Sequence, residues 1–206
     1  MAYVTLEAAS KVVVVDLERV AVVGEIPLEE RPHNIALSPD GRMAWVTSLG
    51  SQALSVIDTA SRAVRERIPT PVTPHDLAAS PDGRTIWVTS WGSSLVLAIE
   101  RATRRAFPVA TSGKEPHHLA IRPDGKEVWV SNHASHDVTV IEAEGRREAA
   151  QIPVGRAPHH VAFSPDGVRA YVANFRSGDL TVIEVATRRV LATVPVGRGP
   201  HGVAVR

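Results

Sequence analysis

The chain has 206 residues, enough for one domain with a sizeable core, and carries 23 Lys and Arg against 22 Asp and Glu. So even a balance gives no electrostatic case for nucleic acid or an anionic membrane as partner, and the absence of cysteine excludes disulfides and leaves the redox compartment open. No apolar run is long enough to span a bilayer, and Met1-Ala-Tyr-Val-Thr lacks the basic and then apolar start of a secretory leader, so the chain reads as soluble and cytoplasmic, or as secreted if a leader has been removed.

Along the chain, Pro-His recurs at Pro32, Pro74, Pro116, Pro158 and Pro200, each step being 42 residues. Pro-Asp-Gly follows in the same register at Pro39, Pro81, Pro123 and Pro165. An aromatic recurs at Tyr3, Trp45, Trp87, Trp129 and Tyr171, and an acid at Asp16, Asp58, Glu100, Glu142 and Glu184. Four independent markers on one gapless period define a repeat architecture.

Residues 1–31 correspond to the second, third and fourth strands of a repeat, since Met1 aligns with Met43. Whole repeats follow at 32–73, 74–115, 116–157 and 158–199. In the last of these, His160–Ser164 reads as a short apolar strand, and Pro165-Asp166-Gly167 as a tight turn in which Pro presets φ and Gly accepts a positive one. Ala170–Asn174 and Leu180–Glu184 read as the next strands, and Thr187-Arg188-Arg189 turns the chain into a fourth at Val190–Val194. The fourth strands carry charge (Arg65-Glu66-Arg67, Arg147-Glu148) and end on Pro27, Pro69, Pro153 and Pro195, devices that protect a free edge. No segment sustains a helical period, so helix is expected to be scarce. Residues 200–206 align with a first strand and stop just before its turn. The expectation is therefore an all-β, five-bladed β-propeller with four antiparallel strands per blade, closed by pairing the C-terminal strand with the N-terminal three.

Gly199-Pro200-His201-Gly202-Val203-Ala204-Val205, Ser164-Pro165-Asp166-Gly167, Ala170-Tyr171-Val172-Ala173-Asn174 and Thr181-Val182-Ile183-Glu184 resemble the YVTN β-propeller repeat over essentially the whole chain. Members of that family are usually larger, commonly seven-bladed and often secreted or surface-associated, and this chain departs from both habits. The family is functionally mixed, so the resemblance implies the fold and no activity.

Strand direction places the Pro-His segments and the loops between second and third strands on one face, and the Pro-Asp-Gly and Thr-Arg turns on the other. Seven of the nine histidines lie at or beside Pro-His, and His133 and His136 fall in a loop on the same face. The repeat puts His33, His75, His117, His159 and His201 around the channel mouth as candidate ligands for zinc, copper, nickel or iron. The competing reading ties neighbouring blades together through imidazole-to-backbone hydrogen bonds. The next position breaks the repeat: Asn34, Asp76, His118, His160 and Gly202. Asp76, His118 and His160 are candidate acid–base residues there, and Asn34 a ligand contact. Trp91, His133 and Phe175, in the divergent loops, are further ligand-contact candidates. On the opposite face, Arg62, Arg104, Arg146 and Arg188 follow the repeated acid by four residues and suggest charge pairing or capping within that turn.

No P-loop, dinucleotide fingerprint, nucleophile elbow or HExxH is present. Three functions fit these residues. The first is binding of a small molecule or metal ion at the His-rich mouth. The second is a metal-assisted hydrolase or lyase at the same place, as in propellers resembling lactonases and streptogramin lyases, although the lyase repeat pattern is absent. The third is a protein-interaction scaffold. The first is favoured, with the balance against an enzyme.

Overall fold

A computed structural model of the chain describes every residue except Glu30 and Trp91. Five antiparallel sheets follow the repeat. Sheet I contains β1 (Ala2–Leu6), β2 (Lys11–Asp16) and β3 (Ala21–Pro27), and sheet II β4 (Pro32–Leu37), β5 (Met43–Ser48), β6 (Ala53–Asp58) and β7 (Ala63–Pro69). Sheet III contains β8 (Pro74–Ala79), β9 (Thr85–Ser90), β10 (Leu95–Glu100) and β11 (Ala106–Ala110). Sheet IV contains β12 (Pro116–Ile121), β13 (Glu127–Asn132), β14 (Asp137–Glu142) and β15 (Arg147–Pro153). Sheet V contains β16 (Pro158–Phe163), β17 (Arg169–Asn174), β18 (Asp179–Glu184) and β19 (Arg189–Pro195). Among the described residues the only helical piece is a 3-10 turn at Glu7–Ala9, and no helix is long and apolar enough to cross a membrane. The architecture is all-β and propeller-like, with the first strands β4, β8, β12 and β16 packed side by side along the inside.

Local chemistry sets the turns. Gly41, Gly83, Gly125 and Gly167 of the Pro-Asp-Gly turns all have positive φ, between 68° and 74°. The turn aspartate closes them: Asp40 Oδ1 accepts the Ser38 hydroxyl at 2.5 Å and the Arg42 N–H at 3.1 Å. The repeated acid likewise caps the turn between third and fourth strands, Asp58 Oδ1 accepting the N–H groups of Ala60 and Ser61. The arginines four residues on do something other than pair within that turn. Arg62, Arg104, Arg146 and Arg188 sit at φ of 50° to 63°, a left-handed conformation, and reach to the preceding sheet. Arg104 binds Glu66 at 2.6 Å, Arg146 binds Glu100 at 2.6 Å, Arg188 binds Glu127 at 3.1 Å, and Arg62 donates to the Val23 carbonyl. These partly exposed pairs contribute little singly, but each one ties a sheet to its neighbour.

The core lies between successive sheets as four apolar clusters. Val12, Val14 and Ile26 meet Ala44, Val46 and Ile57 between sheets I and II. Trp45 and Leu54 meet Ile86 and Leu97 between II and III. Trp87 and Val96 meet Leu119 and Val130 between III and IV. Trp129 and Val140 meet Val172 and Ile183 between IV and V. The repeated Trp45, Trp87 and Trp129 are thus core residues, 0 to 2% exposed. The two end sheets differ. Sheet I has three strands, with β1 as an edge, and Pro200–Arg206 carries no strand. Large apolar side chains stay exposed on both end sheets, among them Val4, Leu6 and Val22 on one and Val190, Leu191 and Val194 on the other.

Candidate functional site: the histidine-lined channel mouth

Two consecutive residues of β4, β8 and β12 line one cavity (His33 and Asn34, His75 and Asp76, His117 and His118), which a regular strand forbids because its side chains alternate between faces. A β-bulge resolves the conflict. The pairing of β4 with β5 shifts by one residue between Pro32 and Ile35, that of β8 with β9 between Pro74 and Leu77, and that of β12 with β13 between Pro116 and Leu119; β16 shifts between Pro158 and His160. The extra residue turns both the histidine and its successor inward. The amide freed by the bulge is satisfied from β5, β9 and β13: Asn34, Asp76 and His118 donate their N–H groups to the hydroxyls of Thr47, Thr89 and Ser131. Those hydroxyls in turn donate to the carbonyls of His75, His117 and His159 on the next sheet, each at 2.8 Å. Thr5 makes the same bond to His33. The hydroxyl recurs at the 42-residue period through Thr5, Thr47, Thr89 and Ser131, a signal available in the sequence; Ala173 ends the series.

The outer tier of histidines is tied into this lattice. His33, His75 and His117 donate Nδ1–H to the carbonyls of His75, His117 and His159 at 3.2, 3.0 and 3.2 Å. Ring centroids along the series are 4.5, 4.6 and 4.3 Å apart. The Nδ1 atom of His159 is buried without a partner. The His201 ring lies 4.8 Å from that of His159 and 6.3 Å from that of His117. Among the described residues no group of three or more His, Asp or Glu side chains converges in a geometry ready to hold a metal ion. Burial pushes His75 and His159 down to about 4 and holds His117 lower still, so these rings are neutral at physiological pH.

The inner tier gathers the positions that break the repeat. Asp76 is 4% exposed; its Oδ1 accepts the Asn34 amide at 2.6 Å and its Oδ2 the Leu119 N–H at 3.0 Å. His118 Nε2 stands 3.7 Å from Asp76 Oδ2, and His118 Nδ1 accepts the Val161 N–H at 3.3 Å, which puts the ring proton on the nitrogen facing Asp76. His160 stacks on His118 with centroids 3.4 Å apart, and its Nδ1 is buried without a partner. Burial raises Asp76 to about 6, against the hydrogen bonds from Leu119 and Leu77, and lowers His118 to about 3 and His160 to about 4. Both Asp76 oxygens accept N–H groups, as an ionised carboxylate does, and the His118 and His160 imidazoles beside it are neutral. The inner tier and His33, His75, His117 and His201 of the outer one line a cavity of about 410 Å³ with Ile35, Leu77 and Gly202, while His33, His75 and His117 also wall a second space of about 490 Å³ toward Glu7, Leu49 and Thr73.

The loop candidates sit against the outer tier. His133 is 5.1 Å from His159 and 6.1 Å from His117, centroid to centroid, with Nδ1 at 3.4 Å from Glu115. Phe175 stacks on His159 at 4.6 Å and 12°, covering that ring. Trp91 lies outside the described residues. Chemically the inner cavity offers a carboxylate and imidazoles and, among the described residues, no Ser, Thr, Cys or Lys in its lining, and His118 has one nitrogen taken by a backbone amide and the other turned to Asp76. That arrangement suits holding a ligand better than delivering a side-chain nucleophile.

No family model matches the chain, and no curated protein matches it. Solved structures share the fold. Hydrazine synthase of Kuenenia stuttgartiensis superposes with a TM-score of 0.71 at 17% identity, over 97% of this chain and 84% of that one. A functionally unknown protein from Desulfotomaculum acetoxidans superposes with a TM-score of 0.87 at 17% identity, over 99% of this chain and 68% of that one. At such identity the likeness is one of fold.

Proposed function

We propose that this protein is a ligand-binding β-propeller whose site is the histidine-lined mouth of its central channel. The observation that carries this reading is the meeting of the repeat-breaking residues Asn34, Asp76 and His118, with His160, in one cavity around a buried carboxylate. A purely architectural ring has no need of a different polar residue at each turn, and burying an ionised group away from water is costly. A thermal-shift screen of small polar molecules tests it, with Asp76→Ala run alongside. A stabilising compound for the native chain that loses its effect in the variant is expected; at a hundred times Kd, binding adds about 2.7 kcal/mol. A screen without hits, or with the same hits in the variant, overturns the reading.

A transition-metal version has one specific support: His33, His75 and His117 each donate Nδ1–H to a backbone carbonyl, the kind of bond that orients metal-binding histidines. Protein purified without chelators or a metal-affinity column is expected, on this version, to carry zinc, copper, nickel or iron near one per chain and to lose it in a His117→Ala, His159→Ala variant. Protein that neither carries nor retains metal leaves the organic-ligand form.

The ring itself we assign to a closed, five-bladed YVTN-type propeller in which Pro200–Arg206 supplies the missing first strand of sheet I. Three observations support closure: sheet I lacks one strand, the buried Nδ1 of His159 lacks the next carbonyl in its series, and Gly199 (φ 65°) has the left-handed conformation of Arg31, Glu115 and Ala157 at the equivalent position. Deleting Pro200–Arg206 is expected to lower the melting temperature and promote self-association, read by scanning fluorimetry and light scattering. A truncated chain that melts unchanged as a monomer removes the closure.

A further inference from the structure

The inner cavity has a charge that its own residues do not balance. Among the described residues its lining contains one carboxylate, Asp76, and neither Lys nor Arg. Every group holding Asp76 is a neutral donor: the Asn34 amide and the N–H groups of Leu119 and Leu77. His118, whose Nε2 stands 3.7 Å from Asp76, accepts the Val161 N–H at Nδ1 and so carries a single proton and no charge. The lining is also rich in acceptors. His33 donates Nδ1–H to the His75 carbonyl, which turns its Nε2 edge away from that bond, and His160 Nδ1 is buried with no partner. At about 410 Å³ the cavity is in the size range of small-molecule sites.

We infer that this cavity takes a small organic cation with N–H donors, a protonated amine, whose charge is met by Asp76 and whose remaining hydrogens reach the imidazole nitrogens around it. The inference rests on the ligand-binding reading and names the ligand class. A cation removes the main penalty of the site, a buried carboxylate without a counter-charge, and its N–H groups match a lining of acceptors. An anion meets a carboxylate with no cationic residue beside it, and a neutral molecule leaves the charge unmet. Asn34 is the positioning residue: its amide fixes Asp76 Oδ1 and leaves Oδ2 to the backbone and the ligand.

The test uses the full chain and three probes of matched size, butylammonium, butyramide and butyrate, read through the histidine ring signals in heteronuclear NMR. Butylammonium alone is expected to shift the rings of His118 and His160. Its affinity is expected to fall about tenfold or more in Asp76→Asn. Asn34→Lys, which places an ammonium beside Asp76, is expected to abolish butylammonium binding and raise the melting temperature, and it reads the same charge balance if Asp76→Asn folds poorly. Butyrate or butyramide binding as tightly as butylammonium overturns the cation class and leaves the ligand-binding reading in place. Silence from all three probes, or a metal ion found in the inner cavity, overturns the inference; silence counts against the ligand-binding reading as well.

Discussion

Replacing Trp129 with alanine is expected to cost about 3–5 kcal/mol, a large share of a typical domain's stability. Trp129 is fully buried between sheets IV and V, meets Phe163 edge to face at 5.3 Å, and donates Nε1–H to Glu127 at 3.0 Å. Glu127 in turn holds Arg188 of sheet V, so the truncation opens a void and loosens the ion pair across the same interface. Tyr171, the equivalent residue of the last sheet, is only partly buried, and Tyr171→Ala should cost much less. Denaturant titration of both variants decides the matter. Equal losses would mean that the aromatic position serves propensity alone, and a loss below about 1 kcal/mol at Trp129 would contradict its place in the core. Because each sheet is buried only by its neighbours, the damage is expected to stay at this interface and broaden the transition.

Acid is expected to destabilise the fold steeply below neutral pH. His75, His118, His159 and His160 have folded pKa values between about 3 and about 4, set chiefly by burial, against 6.5 for the free side chain. A histidine with a depressed folded pKa binds its proton more readily when unfolded. Its contribution is therefore complete above 6.5 and is lost as pH falls from 6.5 toward 4. For His75 alone, a fall from 6.5 to about 4 at about 1.4 kcal/mol per unit is about 3 kcal/mol. Asp76 acts in the opposite direction. Its folded pKa of about 6 lies above the usual 3.8, so its cost is present above 6 and relieved as pH drops to 3.8. Four histidines outweigh one carboxyl, and the melting temperature should fall across this window. His75→Asn, whose amide nitrogen replaces Nδ1 on the His117 carbonyl, should flatten the fall; an equally steep profile in that variant would show that other groups carry the acid response.

The repeat, the strand order and the polar face were legible because each rests on local chemistry recurring every 42 residues: the glycine turns, the apolar strands and the edge prolines. The pairing of Arg104 with Glu66 and Arg146 with Glu100 was not, because a left-handed residue sends its side chain across to a sheet that sequence spacing does not rank by distance. The site shows the same division. Asn34, Asp76, His118 and His160 stood out as breaks in a repeat, and their shared cavity is built from them. The bulge that turns them inward with the preceding histidines is a property of strand register, and the Thr47, Thr89 and Ser131 bridges become visible as a device only when neighbouring sheets are side by side. From the sequence came which residues are repeated and which are exceptions, since a repeat is a statement about covalent order. The inter-sheet packing decided whether an exception is buried, what it hydrogen-bonds, and hence its charge, since desolvation and hydrogen bonding depend on groups 42 and 43 residues away that only folding brings within 3 Å.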